Sequence, residues 1–156
     1  VYWQLWTPNK ALGLTGVRAA YALAPAIAQG DAVVQALEAL MPSWPIGAHG
    51  AAMLECWAMD ATQQWLHGCL PTLGEWKERH LATCESLGLA GLPGDASFFC
   101  AAPATQDLPA LLAHLRSAHG IKLRDATSLG LPGFVRLNVL SPESQDALRD
   151  ALLHRP

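Results

Sequence analysis

The first feature of this sequence with chemical content is a lysine where a β-prone run gives way to a turn. The run Val1-Tyr2-Trp3-Gln4-Leu5-Trp6 breaks at Thr7-Pro8-Asn9, and Lys10 follows directly. Backbone at such a junction holds a lysine in place, so its amine can be aimed. A glycine-punctuated loop, Ala11-Leu12-Gly13-Leu14-Thr15-Gly16, then leads to Val17 and Arg18. Arg18 opens the next predicted strand, eight residues after Lys10, and the loop between them can fold back to set both cations on one pocket. Two neighbouring cations need an anion, and Thr7 adds a hydroxyl at the same strand end. A hydroxyl, an arginine fork and loop amides are the partners a phosphate monoester requires. Adjacent positive charge also favours the neutral, nucleophilic amine. A phosphate beside a nucleophilic lysine points to pyridoxal phosphate, joined to Lys10 through its aldehyde. The plain alternative from spacing alone is a solvated lysine and an edge arginine.

The second group of interest is Gly120-Ile121-Lys122-Leu123-Arg124-Asp125 with Gly133-Phe134-Val135-Arg136-Leu137-Asn138. Arg124 and Arg136 fall on adjacent predicted strands, where their forks can converge on one carboxylate or phosphate. Two ordinary arginines on a solvent face are the alternative.

The remaining candidates carry less. Trp44, Trp57, Trp65 and Trp76 lie on or beside apolar helical stripes and read as core or interface packing, and Tyr21 likewise reads as packing. His49, His67, His80, His114 and His119 form no tight pair with a carboxylate and read as surface or helix-face residues. Cys56, Cys69, Cys84 and Cys100 are 13, 15 and 16 residues apart, without a Cys-x-x-Cys pair, so no metal site is expected. Four reduced cysteines fit a cytoplasmic protein. There is no Gly-x-Ser-x-Gly elbow and no P-loop.

The elements that must position these residues follow from periodicity and breakers. Strands are expected over residues 1–6 and 17–23, the second closed by Pro25. A helix starts at Gly30-Asp31, with Asp31 as N-cap and Val33, Val34, Leu37, Leu40 and Met41 at helical spacing. After the stiff link 42–47, a short helix covers 48–58 and another is capped by Asp60 or Thr62. Pro71-Thr72 marks a new helix start or a kink, followed by the stripe Leu73, Trp76, His80, Leu81, Cys84 and Leu87, which ends at Gly88. The last third predicts a strand over 96–101, a helix over 108–119 stopped by Gly120, and strands over 121–124 and 134–140. A final helix runs to Leu153 with Ser141 as N-cap and Pro142 at N1. The order describes an α/β chain that ends in a small α+β domain.

With 156 residues, a net charge of −3 and 51% hydrophobic residues, the chain can bury a core and lacks the basic excess of a nucleic-acid binder. Its longest early apolar stretch, 19–28, is half of the roughly 20 residues a membrane span needs. No membrane or secretory segment is expected. The chain opens on Val rather than Met, inside a predicted strand, which leads us to expect a fragment whose N-terminal part lies elsewhere.

The stretch from Thr7 to Arg18 resembles the lysine motif of class I/II aminotransferases, which are fold-type I pyridoxal-phosphate enzymes. There a Ser-x-x-Lys is followed by a Leu/Gly loop and an arginine. The wording Pro8-Asn9-Lys10-Ala11-Leu12-Gly13-Leu14-Thr15-Gly16-Val17-Arg18-Ala19-Ala20-Tyr21 is most similar to the cobalamin-pathway branch of threonine-phosphate decarboxylases, with histidinol-phosphate aminotransferases as near relatives. The resemblance implies that Lys10 is the cofactor-binding lysine and that Thr7, in place of the usual serine, and Arg18 bind the cofactor phosphate. It implies that Arg136 binds the substrate carboxylate or phosphate, with Arg124 assisting. It further implies the end of a large cofactor-binding domain over 1–60, and a helix plus the small C-terminal α+β domain over 61–156. The partners it implies are a phosphorylated amino-acid substrate and, in the full-length protein, a second copy in a homodimer. The ring-stacking aromatic, the aspartate for the ring nitrogen and the asparagine near the ring hydroxyl would precede Lys10, so the fragment alone is expected to be inactive. The alternatives to a threonine-phosphate decarboxylase are a histidinol-phosphate-like aminotransferase and a non-catalytic interaction module, since an isolated small domain exposing a former interface would self-associate.

Overall fold

A computed structural model of the chain describes residues 2–26, 32–105 and 107–154. The fold is mixed α/β, and it divides into two compact units, residues 1–68 and 69–156. The predicted helix start at Gly30-Asp31 lies outside the described residues.

The first unit opens with β1 (Gln4–Trp6), paired antiparallel to β2 (Tyr21–Leu23) with Trp6 opposite Tyr21. The expected strand over 17–23 is therefore shorter, and Arg18 precedes it. The reason is local: β1 ends at Trp6 and the chain turns away, so residues 17–20 have no ladder to join. The Thr7 hydroxyl donates to the Ala19 carbonyl at 2.7 Å and takes the place of a backbone rung. Helix α1 (Ala32–Ala39) and helix α2 (Ala48–Trp57) follow, joined by the breaker-rich link.

Helix α3 (Asp60–Ser86) is one continuous helix, so of the new start or kink expected at Pro71-Thr72 the new start is corrected. Proline within a helix removes a single hydrogen bond, and here twenty-seven residues of ladder carry the helix through it. Two residues further on, Gly88 adopts φ 77°, left-handed backbone that lets the chain reverse into the sheet.

The second unit is built on a four-stranded antiparallel sheet. Its strands are β3 (Leu89–Gly91), β4 (Phe98–Pro103), β5 (Arg124–Asp125) and β6 (Val135–Asn138), in the order β3-β4-β6-β5. Strand β3 was not anticipated, because its three residues sit between glycines that read as a stop. Strand β5 is shorter than the expected 121–124. Helix α4 (Leu108–His119), capped by Asp107 and ended at Gly120 with φ 67°, and helix α5 (Pro142–Leu153) cover one face. Period-two alternation sends Phe99, Ala101, Val135 and Leu137 inward against Leu108, Leu111 and Leu115 of α4 and Leu148, Ala151 and Leu152 of α5. Cys84 of α3 completes that core, and burial pushes its thiol up to about 11.

Two expectations about packing are corrected here. Trp44 is 89% exposed and Trp65 also faces outward, so neither is a core residue. His80, read as a helix-face residue, is only 3% exposed, because its face of α3 lies edge-on against Phe99 with ring centroids 5.1 Å apart.

Candidate functional site

Lys10 sits in a nest of turns rather than a slack loop. Leu12 N–H donates to the Pro8 carbonyl (3.0 Å), Gly13 N–H to Lys10 (3.2 Å) and Leu14 N–H to Asn9 (2.7 Å), so successive rungs bracket the lysine. Gly13 has φ 69°, a conformation that disfavours any side chain. The anchor is Asn9, 5% exposed, whose amide donates to the Val17 carbonyl at 3.4 Å. Sequence reasoning gave Asn9 no role; here it closes the loop.

This fold-back brings Thr7, Asn9, Lys10 and Arg18 to the wall of one open cavity of about 530 Å³, together with Ala19, Ala20, Pro45 and Ile46. No carboxylate lines it, and among the described residues neither Lys10 nor Arg18 forms an ion pair. Two cations without an acidic counter-ion and a hydroxyl fit a phosphate-bearing aldehyde such as pyridoxal phosphate, while the loop amides of Leu12, Gly13, Leu14 and Val17 are spent on backbone carbonyls. Thr7 spends its hydroxyl proton on Ala19, with Asn9 Oδ1 also within 3.3 Å; to serve a phosphate it would have to turn that proton outward. Arg18 is held at its backbone from behind. The Cα of Gly50 on α2 approaches so closely that an added Cβ would lie 3.1 Å from the Arg18 carbonyl and 3.0 Å from Ala19 Cβ. No sequence signal marked Gly50, since helix glycines read as weak points.

The other two lysines are placed otherwise. Lys77 donates to the Gly94 and Ala96 carbonyls, and Lys122 lines a different cavity.

In the second unit, Arg124 and Arg136 stand directly opposite one another on β5 and β6. Alternation turns both away from the core, since their neighbours Val135 and Leu137 are buried. The Arg136 guanidinium lies 4.8 Å from the centre of the Phe98 ring, and its Nε is buried without a partner. Like charges facing across a ladder repel, and among the described residues neither arginine forms an ion pair.

The chain matches the family Aminotransferase class I and II over residues 7–152. It belongs to that family. Its members depend on pyridoxal phosphate. Among solved structures, the fold is that of the L-threonine-O-3-phosphate decarboxylase from Porphyromonas gingivalis, at 19% identity and TM-score 0.70, over 97% of this chain and 45% of that one. It is also that of the histidinol-phosphate aminotransferase from Sinorhizobium meliloti in complex with pyridoxal-5'-phosphate, at 24% identity and TM-score 0.76, over 96% and 39%. The histidinol-phosphate aminotransferase from Clostridium acetobutylicum aligns at 17% identity and TM-score 0.80, over 96% and 44%. No curated protein matches the chain. This aminotransferase-family chain thus spans about two fifths of the length of the solved structures it resembles. Among the described residues no helix is long and apolar enough to cross a membrane.

Proposed function

We propose that this chain is the lysine-bearing C-terminal part of a cytoplasmic, homodimeric pyridoxal-phosphate enzyme acting on a small phosphorylated amino acid, with decarboxylation of L-threonine-O-3-phosphate as its reaction. The observation that carries the reading is the cavity in which Lys10, Arg18 and Thr7 meet without an acidic counter-ion. Lys10 Nζ is the group that binds the cofactor aldehyde, and Arg18 with Thr7 grips its phosphate. When bound, pyridoxal phosphate supplies a sink for the electron pair left at the substrate's Cα when a bond to that carbon breaks. Once released, Lys10 Nζ holds a proton it can return to that carbon. Arg136 offers a bidentate fork for the substrate carboxylate and Arg124 a second cation for its phosphate. Expelling CO2 rather than a proton depends on which bond the anion contacts hold perpendicular to the ring. Transamination by a histidinol-phosphate-like enzyme is the second reading, favoured by the same arginine pair.

Two measurements test this. Borohydride reduction of the cofactor-treated whole protein, followed by peptide mass spectrometry, should place the pyridoxyl group on Lys10 and not on Lys77 or Lys122; labelling spread over all three would overturn the reading. CO2 release from threonine phosphate, assayed beside glutamate-dependent transamination, then separates the two reactions.

A further inference from the structure

Strand β3 is one edge of the sheet in the second unit, paired with β4 on one side and open on the other. Its register decides which backbone groups are spent. Leu92 N–H donates to the Cys100 carbonyl at 2.8 Å, and Ala104 N–H to the Gly88 carbonyl at 3.1 Å. Alternation therefore turns residues 88, 90 and 92 toward β4, and the N–H and C=O groups of Leu89 and Gly91 toward the open side. Pro103 opposite Leu89 agrees with this phase, since that position needs no N–H for β3. Sheet edges are commonly blunted by a lysine, a proline or a bulge. The run Leu89-Ala90-Gly91 has no lysine and no proline, and Ala90 and Gly91 are exposed.

A groove of about 440 Å³ lies beside this edge, lined by Leu81 and Glu85 of α3 and by Gly88, Ala90 and Gly91. Gly91 lets the helix come close, because a Cβ there would lie 2.9 Å from Leu81 Cδ2. Helix and strand thus form two sides of one trough. An open edge beside a trough is the arrangement that takes up an extended peptide: main-chain hydrogen bonds hold it, and alternate side chains enter the groove.

Charge selects the occupant. Glu85 lines the groove, and Glu78, seven residues earlier, stands on the same stripe of α3. Both are exposed, and neither forms an ion pair among the described residues. The nearby Lys77 is turned to the Gly94 and Ala96 carbonyls. A second copy paired edge to edge would add its own carboxylates to these, with no cation between them, whereas a basic segment brings the opposite charge.

We propose that the β3 edge docks an extended basic segment of a partner protein, which joins this sheet as a fifth strand. Its main chain bonds to Leu89 and Gly91, a small apolar side chain enters the groove against Leu81, and a lysine or arginine on the same face reaches Glu85. The surface uses neither Lys10 nor the arginines of β5 and β6.

The test titrates the ¹⁵N-labelled 156-residue chain with the capped peptide Lys-Thr-Val-Thr-Lys, which reads the same in either direction and puts both lysines and the valine on one face. The amide resonances of Leu89 and Gly91 should shift saturably, and their hydrogen exchange should slow. The acidic counterpart Glu-Thr-Val-Thr-Glu should bind about tenfold more weakly, since two exposed ion pairs become repulsions. Methylating every backbone nitrogen of the basic peptide keeps its side chains and should abolish binding. Glu85→Lys should weaken the basic peptide roughly fivefold without lowering the melting temperature. The proposal is overturned by equal binding of the two peptides, by binding that survives methylation or Glu85→Lys, or by no saturable shift at Leu89 and Gly91. Protection of those two amides that rises with protein concentration alone would assign the edge to a second copy and also overturn it. Lys10→Ala should leave the titration unaltered, so this outcome is separate from the cofactor-labelling result.

Discussion

Gln145 ties the strand that carries Arg136 to the long helix, and replacing it is the most incisive perturbation this fold offers. Its side chain is 1% exposed and makes three hydrogen bonds: Nε2 to the Trp76 carbonyl at 2.9 Å, Nε2 to the Leu140 carbonyl at 2.8 Å, and Arg79 Nη1 to Oε1 at 2.8 Å. Leu140 lies just past β6, so losing that rung frees the end of the strand. Gln145→Met keeps the volume and removes all three bonds. At about 1 kcal/mol each, the loss is about 3 kcal/mol, reduced somewhat because Arg79 Nη1 retains the Pro142 carbonyl at 3.3 Å. Gln145→Ala adds a cavity and should cost roughly 1 kcal/mol more. Urea titration followed by far-UV circular dichroism measures both. The neighbouring pair Arg79–Asp146, at 2.7 Å with side chains 37% and 38% exposed, provides the control. Asp146→Asn should change the midpoint far less, because exposed ion pairs contribute little. A Gln145→Met midpoint indistinguishable from that of Asp146→Asn would refute the reasoning.

Three other outcomes are expected. Gly50→Leu should push α2 away from Arg18 and Ala19, destabilising the first unit by overpacking of about 1–3 kcal/mol and weakening pyridoxal-phosphate labelling of Lys10, read by mass spectrometry. His80 holds its proton less readily in the folded chain than unfolded, so the unfolded state binds more protons once pH drops below about 6.5 and stability falls there. His80→Phe should flatten that acid limb of the urea midpoint against pH, leaving values above pH 7 nearly parallel. Arg124→Gln relieves the repulsion with Arg136 and should raise the melting temperature in low-salt, anion-free buffer while diminishing the stabilisation that added phosphate confers.

The fold of the lysine loop was legible because its geometry is local. Lys10 lies in a turn that Pro8, Asn9 and Gly13 dictate over a few residues, and Arg18 returns to it within the span of a short loop. The arginine pair was legible for a related reason: period-two alternation puts Arg124 and Arg136 on one face once their strands are adjacent. Helices α4 and α5 announced themselves by Asp107, Gly120 and Pro142. By contrast, no new helix starts at Pro71, because the lost hydrogen bond is one among many in a long ladder. The outward face of Trp44 was out of reach, since it depends on what packs from a distance, whereas His80 is buried on the same stripe as Cys84 that the helical spacing marks.

Thus the sequence by itself determined the residues of the lysine loop, the family to which they belong and the inward faces of the late strands and helices, all of which follow from neighbours a few positions apart. Only the tertiary structure decided that Gly50 backs the arginine strand, that Gln145 locks α5 to α3, and that the open edge of β3 lies along a groove beside Leu81. Those features arise where segments tens of residues apart meet, and what one side chain finds there is settled by the space and polar groups that the others leave.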